Sequence, residues 1–340
     1  MIERKLLLGD EAIALGAVHA GISGVYAYPG TPSTEITEYI QGHAQEVRSR
    51  WCTNEKTAME AALGMSYAGK RALVCMKHVG MNVAADAFVN SAITGVNGGL
   101  VVLAADDPSM HSSQNEQDSR FYGKFAMIPI LEPSTQQEAY DMMKYAYALS
   151  EEKKLPVLLR VVTRLAHSRA GVVVNDLMPQ NALNPDKERT WVLLPAIARR
   201  QYASLVAKQP DLVESSEHSP YNGMNAFEGK AKLGVIACGI AYNYVMENDP
   251  QSLGIPVLKV SQYPLPEASI KALAAQCESL LVAEDGQPLV EEQVKSILGA
   301  DYALKGRLTG DLPRMGELTP DCVGAALGVN IEQPYTEAQN

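Results

Sequence analysis

The chain has 340 residues, of which 46% are hydrophobic and 20% are charged, so there is enough apolar material for packed cores in about two or three domains. The formal net charge of -10 argues against a nucleic-acid partner, which would need a clustered face of Lys and Arg. No apolar run approaches the roughly 18 residues of a membrane span, so a membrane partner is not expected either.

The beginning of the chain and its cysteines bear on cellular location. Three leucines at 6–8 are followed almost at once by two carboxylates, which is too short an apolar stretch for a signal peptide. The five cysteines are odd in number and widely scattered, and none has metal or iron–sulfur spacing. This pattern suits a reducing cytoplasm and predicts that any electron transfer involves groups outside this chain.

The first elements predicted along the chain form a helix and four strand–loop units. Residues 10–20 show a helical pattern, with Asp10 as the expected cap. Four strand-like runs follow, each ending in a loop of small, polar or ionisable residues. Because ligands of an open parallel sheet bind outside the carboxyl ends of its strands, we expect these loops to gather at one edge. The runs and their loops are 24–28 before 29–34, 50–52 before 53–56, 72–76 before 77–80, and 100–104 before 105–108.

The remaining pattern predicts an α/β protein with two parallel-sheet domains. A polar stretch at 111–124 is typical of a functional or mobile loop, although a solvated surface loop is an equally good interpretation. A helix over 134–151 and a buried strand over 156–162 are expected to complete the first domain. The predicted divisions are a first domain at 1–175, a linker with one short helix at 176–230, a second α/β domain at 231–330 and a polar tail at 331–340.

The loop after the first of the four runs is a candidate ligand site. Thr31 is predicted to cap a helix whose first position is Pro32, and Gly30 would let the backbone approach a ligand closely. Such a helix terminus presents N–H groups to an anion, for instance a substrate carboxylate. From the local sequence alone, an ordinary strand-to-helix turn is the commoner interpretation.

The loop after the second run opens a helix with Glu55. Carboxylates are favoured in the first helical turn in any protein, so this position alone does not indicate catalysis. The helix behind it, at 58–69, is so rich in Ala and Gly that it must pack at close range. A carboxylate at the head of such a helix is expected to be partly desolvated, which would suit it to share a proton with a bound heteroaromatic ring.

Two histidines and two arginines complete the candidates. His78 and His111 are potential ligands, bases or simply hydrogen-bonded polar residues, and no third partner at a convincing spacing indicates a metal site. Arg120 and Arg164 are the leading candidates for pairing with a carboxylate.

Together these motifs resemble those of the thiamine-dependent 2-oxoacid:ferredoxin oxidoreductases, and within that family the large (alpha) subunits of the indolepyruvate branch. The likeness runs through nearly the whole chain. The segments that carry it are Tyr28-Pro-Gly-Thr-Pro-Ser-Thr, Asn54-Glu-Lys, Ser66-Tyr-Ala-Gly, Met76-Lys-His-Val-Gly-Met-Asn-Val-Ala-Ala-Asp and Ala105-Asp-Asp-Pro-Ser-Met-His-Ser-Ser-Gln-Asn-Glu-Gln-Asp.

The resemblance implies that residues 1–175 form the domain that receives the pyrimidine half of thiamine diphosphate, followed by a domain like the transketolase carboxyl-terminal domain. It assigns Glu55 to the catalytic glutamate that faces the pyrimidine nitrogen. It also implies that Pro29 and Gly30 contact the cofactor and that Thr31 lies near the substrate carboxylate. His78 and Gln117 match family loops that line the same cleft, and Arg120 stays a candidate for the substrate.

The implied reaction is oxidative decarboxylation of an aryl pyruvate to an acyl-CoA and CO2, with electrons passed to ferredoxin. Mg²⁺ and [4Fe-4S] clusters are expected in a missing domain or partner, because this chain has neither the family's magnesium motif nor its cysteine-rich segment. A smaller beta (gamma-type) subunit and a homodimer or hetero-oligomer are expected as well. The chain alone is therefore expected to be inactive.

Three alternatives remain open at this point. The first is an alpha subunit of the pyruvate or 2-oxoglutarate type within the same family. The second is a nucleotide-dependent dehydrogenase, which ranks low because no Gly-x-Gly-x-x-Gly follows a predicted strand. The third is a non-catalytic assembly protein that has kept the fold.

Overall fold

A computed structural model describes residues 3–185 and 191–329 of the chain. The chain divides into two compact units, the first comprising Met1–Asn222 and Ser261–Pro266 and the second comprising Gly223–Val260 and Glu267–Asn340. No helix within the described ranges is long and apolar enough to cross a membrane. The predicted polar tail at 331–340 lies outside these ranges.

The first unit is built on a seven-stranded sheet and a separate antiparallel pair. The order of the large sheet is β12-β6-β7-β5-β4-β2-β3, and all its neighbours are parallel except β12 and β6. The pair joins β1 to β8. The strands are β1 (Arg4–Leu8), β2 (Gly24–Ala27), β3 (Arg48–Trp51), β4 (Ala72–Lys77), β5 (Leu100–Asp106), β6 (Ile130–Leu131), β7 (Val157–Val162), β8 (Arg169–Val173) and β12 (Gln262–Tyr263).

Helices cover the large sheet, and its central strands are buried along their whole length. Strands β4, β5 and β7 read as near-continuous apolar runs, which is typical of a parallel sheet covered on both faces. Among the helices, α1 packs against α6 and α3 against α4. The helices of this unit are α1 (Gly9–His19), α2 (Thr34–His43), α3 (Glu55–Tyr67), α4 (His78–Thr94), α5 (Arg120–Ala126), α6 (Gln136–Lys153), α7 (Thr163–His167), α8 (Pro195–Ala207) and α9 (Gln209–Glu217).

The sheet register brings the four predicted loops to one edge. Ala27 near the end of β2 pairs with Trp51 of β3 and with Cys75 of β4. Further along, Lys77 at the end of β4 pairs with Ala105 of β5. Because all these strands are parallel, their carboxyl ends share one side of the sheet, which we call the carboxyl edge. The predicted gathering of the loops is confirmed.

Two local predictions in the first unit need correction. Helix α1 begins at Gly9 and follows Leu8, so Asp10 lies inside its first turn and makes no cap hydrogen bond among the described residues. The region predicted as a linker with one short helix contains two, α8 and α9. The predicted helix corresponds to α8. Helix α9 was missed because Pro210, which ordinarily marks a break, lies in its first turn, where proline is tolerated.

The second unit is a smaller α/β layer with the strand order β14-β13-β10-β11-β9. Only β9, at its edge, runs antiparallel to its neighbour. The strands are β9 (Gly223–Met224), β10 (Ala231–Cys238), β11 (Val257–Val260), β13 (Cys277–Ala283) and β14 (Ala303–Lys305), and the helices are α10 (Ala241–Met246), α11 (Glu267–Gln276), α12 (Leu289–Leu298) and α13 (Pro320–Leu327). The predicted α/β class with two parallel-rich sheets is confirmed.

The acidic loop after β13 serves the second unit's own structure. Both carboxylate oxygens of Glu284 accept the N–H of Val290, at 3.0 and 3.1 Å, and Oε1 also accepts that of Glu291 at 2.9 Å. These N–H groups belong to the first turn of α12, where a carboxylate is favoured by the helix dipole. Asp285 accepts a hydrogen bond from the buried Arg307 at 3.4 Å. The loop therefore stabilises the fold.

Candidate functional site

The loop after β2 forms a closed turn just before α2. The Ser33 N–H and hydroxyl both donate to the Gly30 carbonyl oxygen, at 3.0 and 2.8 Å, and the Gly30 N–H donates to Thr34 Oγ1 at 2.8 Å. The predicted helix start at Pro32 is therefore wrong, because these hydrogen bonds hold residues 31–33 in the turn and α2 begins at Thr34. Thr31, within this turn, is exposed.

Pro29 and Gly30 lie at the carboxyl edge, beside the end of β4. Pro29 is exposed and Gly30 is half-buried. A Cβ atom on Gly30 would lie 3.3 Å from the Cβ of Lys77, which is a tight contact. The missing side chain thus lets the turn lie directly against the last residue of β4. Contact of either residue with a cofactor stays a prediction.

Glu55 opens α3 at the same edge, as the sequence predicted. The helix is capped by Asn54, whose side-chain oxygen accepts the Thr57 N–H at 2.9 Å, so Glu55 is not needed as the cap. The Glu55 side chain is half-buried, and no hydrogen bond or ion pair joins it to the described residues. Its carboxylate is available to an incoming group.

The Glu55 side chain lies against Gly80 in the first turn of α4. A Cβ atom on Gly80 would lie 2.6 Å from Glu55 Cγ and 2.8 Å from Oε1, distances that no relaxed structure would accept. Behind this contact, α3 buries the small residues Ala58 and Ala62 and packs on α4. The close approach of α4 at Gly80 therefore keeps the Glu55 carboxylate beside the neighbouring helix.

His78 and Lys77, at the end of β4, hold the polar loop that follows β5. His78 is fully buried, and its Nε2 lies 3.0 Å from the Asn115 carbonyl oxygen. Because a carbonyl oxygen only accepts, Nε2 carries the proton in this contact. Lys77 donates to the Ser112 carbonyl oxygen at 2.8 Å. These contacts place the loop with the half-buried Gln117 at the carboxyl edge.

Asp107 directly follows β5 and holds the same loop through hydrogen bonds. This role was not predicted from the sequence. Asp107 accepts the Ser112 N–H at 2.9 Å and hydrogen bonds from the Ser113 and Thr163 hydroxyls at 2.5 and 2.9 Å. Burial alone would raise the pKa of this carboxyl, but these hydrogen bonds to the charged form outweigh it and lower the pKa. The cluster of serines after Asp107 was the available signal, since hydroxyl and carboxylate side chains close such turns. His111, in the same loop, is exposed.

Arg120 does not lie with these residues on the surface. It is fully buried, and its guanidinium binds both oxygens of Asp118 and lies 3.7 Å from Glu132 Oε2 and 3.4 Å from the hydroxyl of Tyr263. These buried carboxylates neutralise the guanidinium charge that was expected to pair with a substrate carboxylate. We therefore do not assign Arg120 to substrate binding. Arg164 is exposed on α7.

A second buried arginine completes this internal cluster. Arg160 of β7 is fully buried and bonds to Asp106 at 2.6 Å and to Glu132. Burial alone would raise the pKa of Asp118, but Arg120 and Arg160 outweigh it and hold that pKa at about 2. No local sequence pattern signals the cluster, because its members come from separate elements.

Comparison with known proteins assigns the chain to a family. The family described as pyruvate flavodoxin/ferredoxin oxidoreductase, thiamine diphosphate-binding, matches residues 15–211. Indolepyruvate oxidoreductase subunit IorA of Archaeoglobus fulgidus is 41% identical over 98% of this chain and 55% of that protein. The Thermococcus kodakarensis protein of the same name is 42% identical, with 99% and 54% covered. The chain thus spans about half the length of the curated relatives it matches.

Two solved structures share the fold. The 2-oxoglutarate:ferredoxin oxidoreductase from Magnetococcus marinus, with 2-oxoglutarate, coenzyme A and succinyl-CoA bound, has a TM-score of 0.77 at 16% identity and covers 96% of this chain and 65% of that one. A split gene transketolase, described as an inactive beta4 tetramer, has a TM-score of 0.59 at 14% identity, with 95% and 97% covered. The chain belongs to the pyruvate flavodoxin/ferredoxin oxidoreductase, thiamine diphosphate-binding family, within the 2-oxoacid:ferredoxin oxidoreductases.

Proposed function

We propose that this chain supplies the pyrimidine-binding half of the thiamine diphosphate site in a 2-oxoacid:ferredoxin oxidoreductase, with Glu55 as its catalytic carboxylate. Residues 1–175 would be the pyrimidine-binding domain and residues 231–330 the transketolase C-terminal-like domain, joined through 176–230. The observation that supports the proposal most is the partner-free, half-buried carboxylate of Glu55 at the carboxyl edge of a thiamine-family sheet.

The residues at the edge fit the pyrimidine half of the cofactor. Glu55 offers a carboxylate to a ring nitrogen, and the bare backbone of Gly80 beside it leaves no side chain in the way. Pro29 and Gly30 form the neighbouring surface of the β2 turn. Thiamine diphosphate supplies, when bound, the electron sink that decarboxylation of a 2-oxo acid needs. Glu55 would hold a proton on the pyrimidine and so favour the tautomer whose exocyclic nitrogen acts as a base.

The substrate would meet the turn and the polar loop. The exposed Thr31 hydroxyl is free to donate a hydrogen bond to a carboxylate, which is the group common to all 2-oxo acids. Gln117 would line the same cleft from the loop after β5. His78 is fully buried and bonded to the loop backbone, so its role would be to position that loop rather than to touch the substrate.

Other parts of the enzyme would come from outside this chain. The relatives are nearly twice as long. We propose that a further domain or subunit binds the diphosphate through Mg²⁺ and carries the [4Fe-4S] clusters, and that a smaller beta (gamma-type) subunit joins the assembly as a homodimer or hetero-oligomer. The proposed substrate is an aryl pyruvate of the indolepyruvate type, because the relatives at about 40% identity are named for it. Coenzyme A would take the acyl group and ferredoxin the electrons.

The test is turnover by the complete assembly with Glu55→Ala in this chain. We expect the rate of ferredoxin reduction with indolepyruvate and coenzyme A to fall about 10²- to 10⁴-fold, the usual effect of removing a positioned acid–base group. Glu60→Ala is the matched control, because Glu60 lies on the same helix but is exposed. This chain without its partner should show no turnover.

Two results would contradict the proposal. A loss below about tenfold for Glu55→Ala would remove Glu55 from its role. Failure of this chain to restore activity to any complementary domain would favour the non-catalytic assembly protein. A panel with pyruvate and 2-oxoglutarate beside indolepyruvate identifies the substrate class independently of Glu55.

A further inference from the structure

Three potential metal ligands that are far apart in the sequence meet in the first unit. Asp10 lies in the first turn of α1, Glu35 in the first turn of α2, and His167 at the end of α7. His167 Nε2 lies 3.9 Å from Asp10 Oδ2 and 3.7 Å from Glu35 Oε1. One ligand atom from each of the three lies within 4.8 Å of the others.

Asp10 is the unusual member of this cluster. Its side chain is fully buried, and neither carboxylate oxygen has a hydrogen-bond partner among the described residues. Glu35 Oε2 is likewise buried and unpartnered there. At 3.9 Å, the contact with His167 is too long to be a hydrogen bond. Because burial of an unpaired carboxylate is costly, a cation between these groups would stabilise the arrangement.

We propose that Asp10, Glu35 and His167 bind one divalent first-row metal ion, of which Zn²⁺ fits best. One imidazole nitrogen with two carboxylate oxygens is a donor set that such ions accept, whereas Mg²⁺ and Ca²⁺ prefer oxygen alone. Ligand distances of about 2.0–2.2 Å would require His167 Nε2, which now lies 3.9 and 3.7 Å from the Asp10 and Glu35 oxygens, to move several tenths of an ångström closer to both. Glu35 and His167 are partly exposed, with 38% and 37% of their side chains accessible, so the ion would have an entry path and keep a water position.

Besides His167, the described groups that act on the charge of Asp10 are acidic or neutral. Glu11, in the same turn, accepts the Leu8 N–H at 2.8 Å and contributes a further negative charge. On the sheet side, the buried Cys75 thiol lies near enough to Asp10 to be affected by its charge. The surroundings therefore favour a cation over an anion. Glu35 also directly follows Thr34, which holds the Gly30 turn, so the ion would anchor the loop that carries Thr31.

The test uses the full chain after removal of metal with a chelator. Isothermal titration with Zn²⁺ should show one tight site per chain, and Co²⁺ should give visible absorption bands of a histidine–carboxylate site. Asp10→Asn keeps the shape of the side chain but removes its charge. Since loss even of an outer partner of a ligand weakens metal sites about 10- to 100-fold, Asp10→Asn should weaken Zn²⁺ binding at least tenfold. Glu38→Gln, on an exposed position of α2, should bind like the unchanged chain.

A second variant decides whether these three residues hold the ion. His167→Gln should also weaken Zn²⁺ binding and abolish the Co²⁺ bands, because the imidazole is the nitrogen ligand. If the tight site persists unchanged in Asp10→Asn and His167→Gln, the ion is held elsewhere and the proposal fails. It fails also if the metal-free chain shows no tight site. A rise in melting temperature for Asp10→Asn would then indicate that the buried carboxyl is simply protonated. None of these results depends on Glu55 or on turnover.

Discussion

Glu55 differs from Asp107, Asp118 and Glu284 in how its oxygens are used. Asp107 and Glu284 accept several hydrogen bonds from their own loops and helices, and Asp118 is bound by arginine. Those carboxylates stabilise the fold through these contacts, so their oxygens are not available to a ligand. Glu55 has the helix position and partial burial of a structural residue but lacks the partner. This difference supports the proposed role of Glu55.

Thr31 gives a prediction on substrate binding. Thr31→Val removes the hydroxyl from the exposed turn, and we expect kcat/KM for the 2-oxo acid to fall about 10- to 100-fold, the value of a hydrogen bond to a charged group. Most of the loss should appear in KM if the bond forms equally in ground and transition states. Thr31→Ser should retain activity. Equal kcat/KM for Thr31→Val and the unchanged chain would rule out this contact.

The contact between helices α3 and α4 gives a second prediction. Gly80→Ala adds a methyl group where 2.6 Å separates it from Glu55 Cγ, so the carboxylate must move. Because a displacement of about 1 Å can cost about 10²-fold in rate, we expect a fall of at least tenfold in turnover of the assembly. The melting temperature should change little, since alanine is a better helix former than glycine.

Gly64→Ala is the matched control for Gly80→Ala. Gly64 lies on α3 itself, and a Cβ atom there would meet nothing within 4 Å. This variant should keep full turnover and gain about 0.5–1 kcal/mol of stability. Full activity of Gly80→Ala would show that the position of the Glu55 side chain against α4 is not important.

The buried cluster that joins β5, β6, β7 and α5 makes a prediction about stability. Asp118→Asn leaves Arg120 and Arg160 short of a counter-charge in a fully buried site, and we expect a loss of about 3–5 kcal/mol at pH 7. The pKa of Asp118 is about 2 in the fold against an ordinary 3.8, so its contribution is complete above about pH 4 and is lost as the pH falls toward 2. The deficit of the variant should therefore shrink on acidification.

Urea unfolding at pH 7 and pH 3 measures this effect. Asp86→Asn serves as the control, because Asp86 pairs with Lys56 at 2.9 Å on the exposed surface. Exposed pairs contribute about 0–1 kcal/mol, so this variant should change little at either pH. A deficit for Asp118→Asn below about 1 kcal/mol, or one that is the same at both pH values, would contradict the proposed energetics of the cluster.

Across the whole molecule, the strands and helices that the sequence predicted correctly are those whose pattern lies within a short stretch of the chain. The strands of the carboxyl edge are apolar runs followed by polar loops, and helices α11 and α12 carry clear helical patterns, so their positions follow from local sequence. The resemblance of the edge loops to a known family predicted the fold class correctly. It also suggested the candidate role of Glu55, which the position of Glu55 at the head of α3 supports.

What the sequence did not predict depends on long-range contacts. Arg120 was predicted to pair with a substrate carboxylate, whereas in the structure it is buried against Asp118 and Glu132. Asp10 was expected to cap a helix, and nothing in the spacing indicated that it would meet His167. The segment Ser261–Pro266 joins the first unit although the sequence around it belongs to the second. In the first two cases a distant residue takes part: the Tyr263 hydroxyl lies 3.4 Å from Arg120, and His167 lies 3.9 Å from Asp10.

If Glu55 holds a proton on the pyrimidine of thiamine diphosphate, as we propose, then the exchange of the thiazolium C2 proton with D2O must depend on Glu55. This exchange is measured by quenched-flow NMR in the complete assembly without a 2-oxo acid. With Glu55→Gln in this chain, we predict that the exchange rate falls about 10²- to 10⁴-fold while the cofactor stays bound. An exchange rate within about tenfold of the unchanged assembly would contradict the claim, because the proton would then be placed by another group.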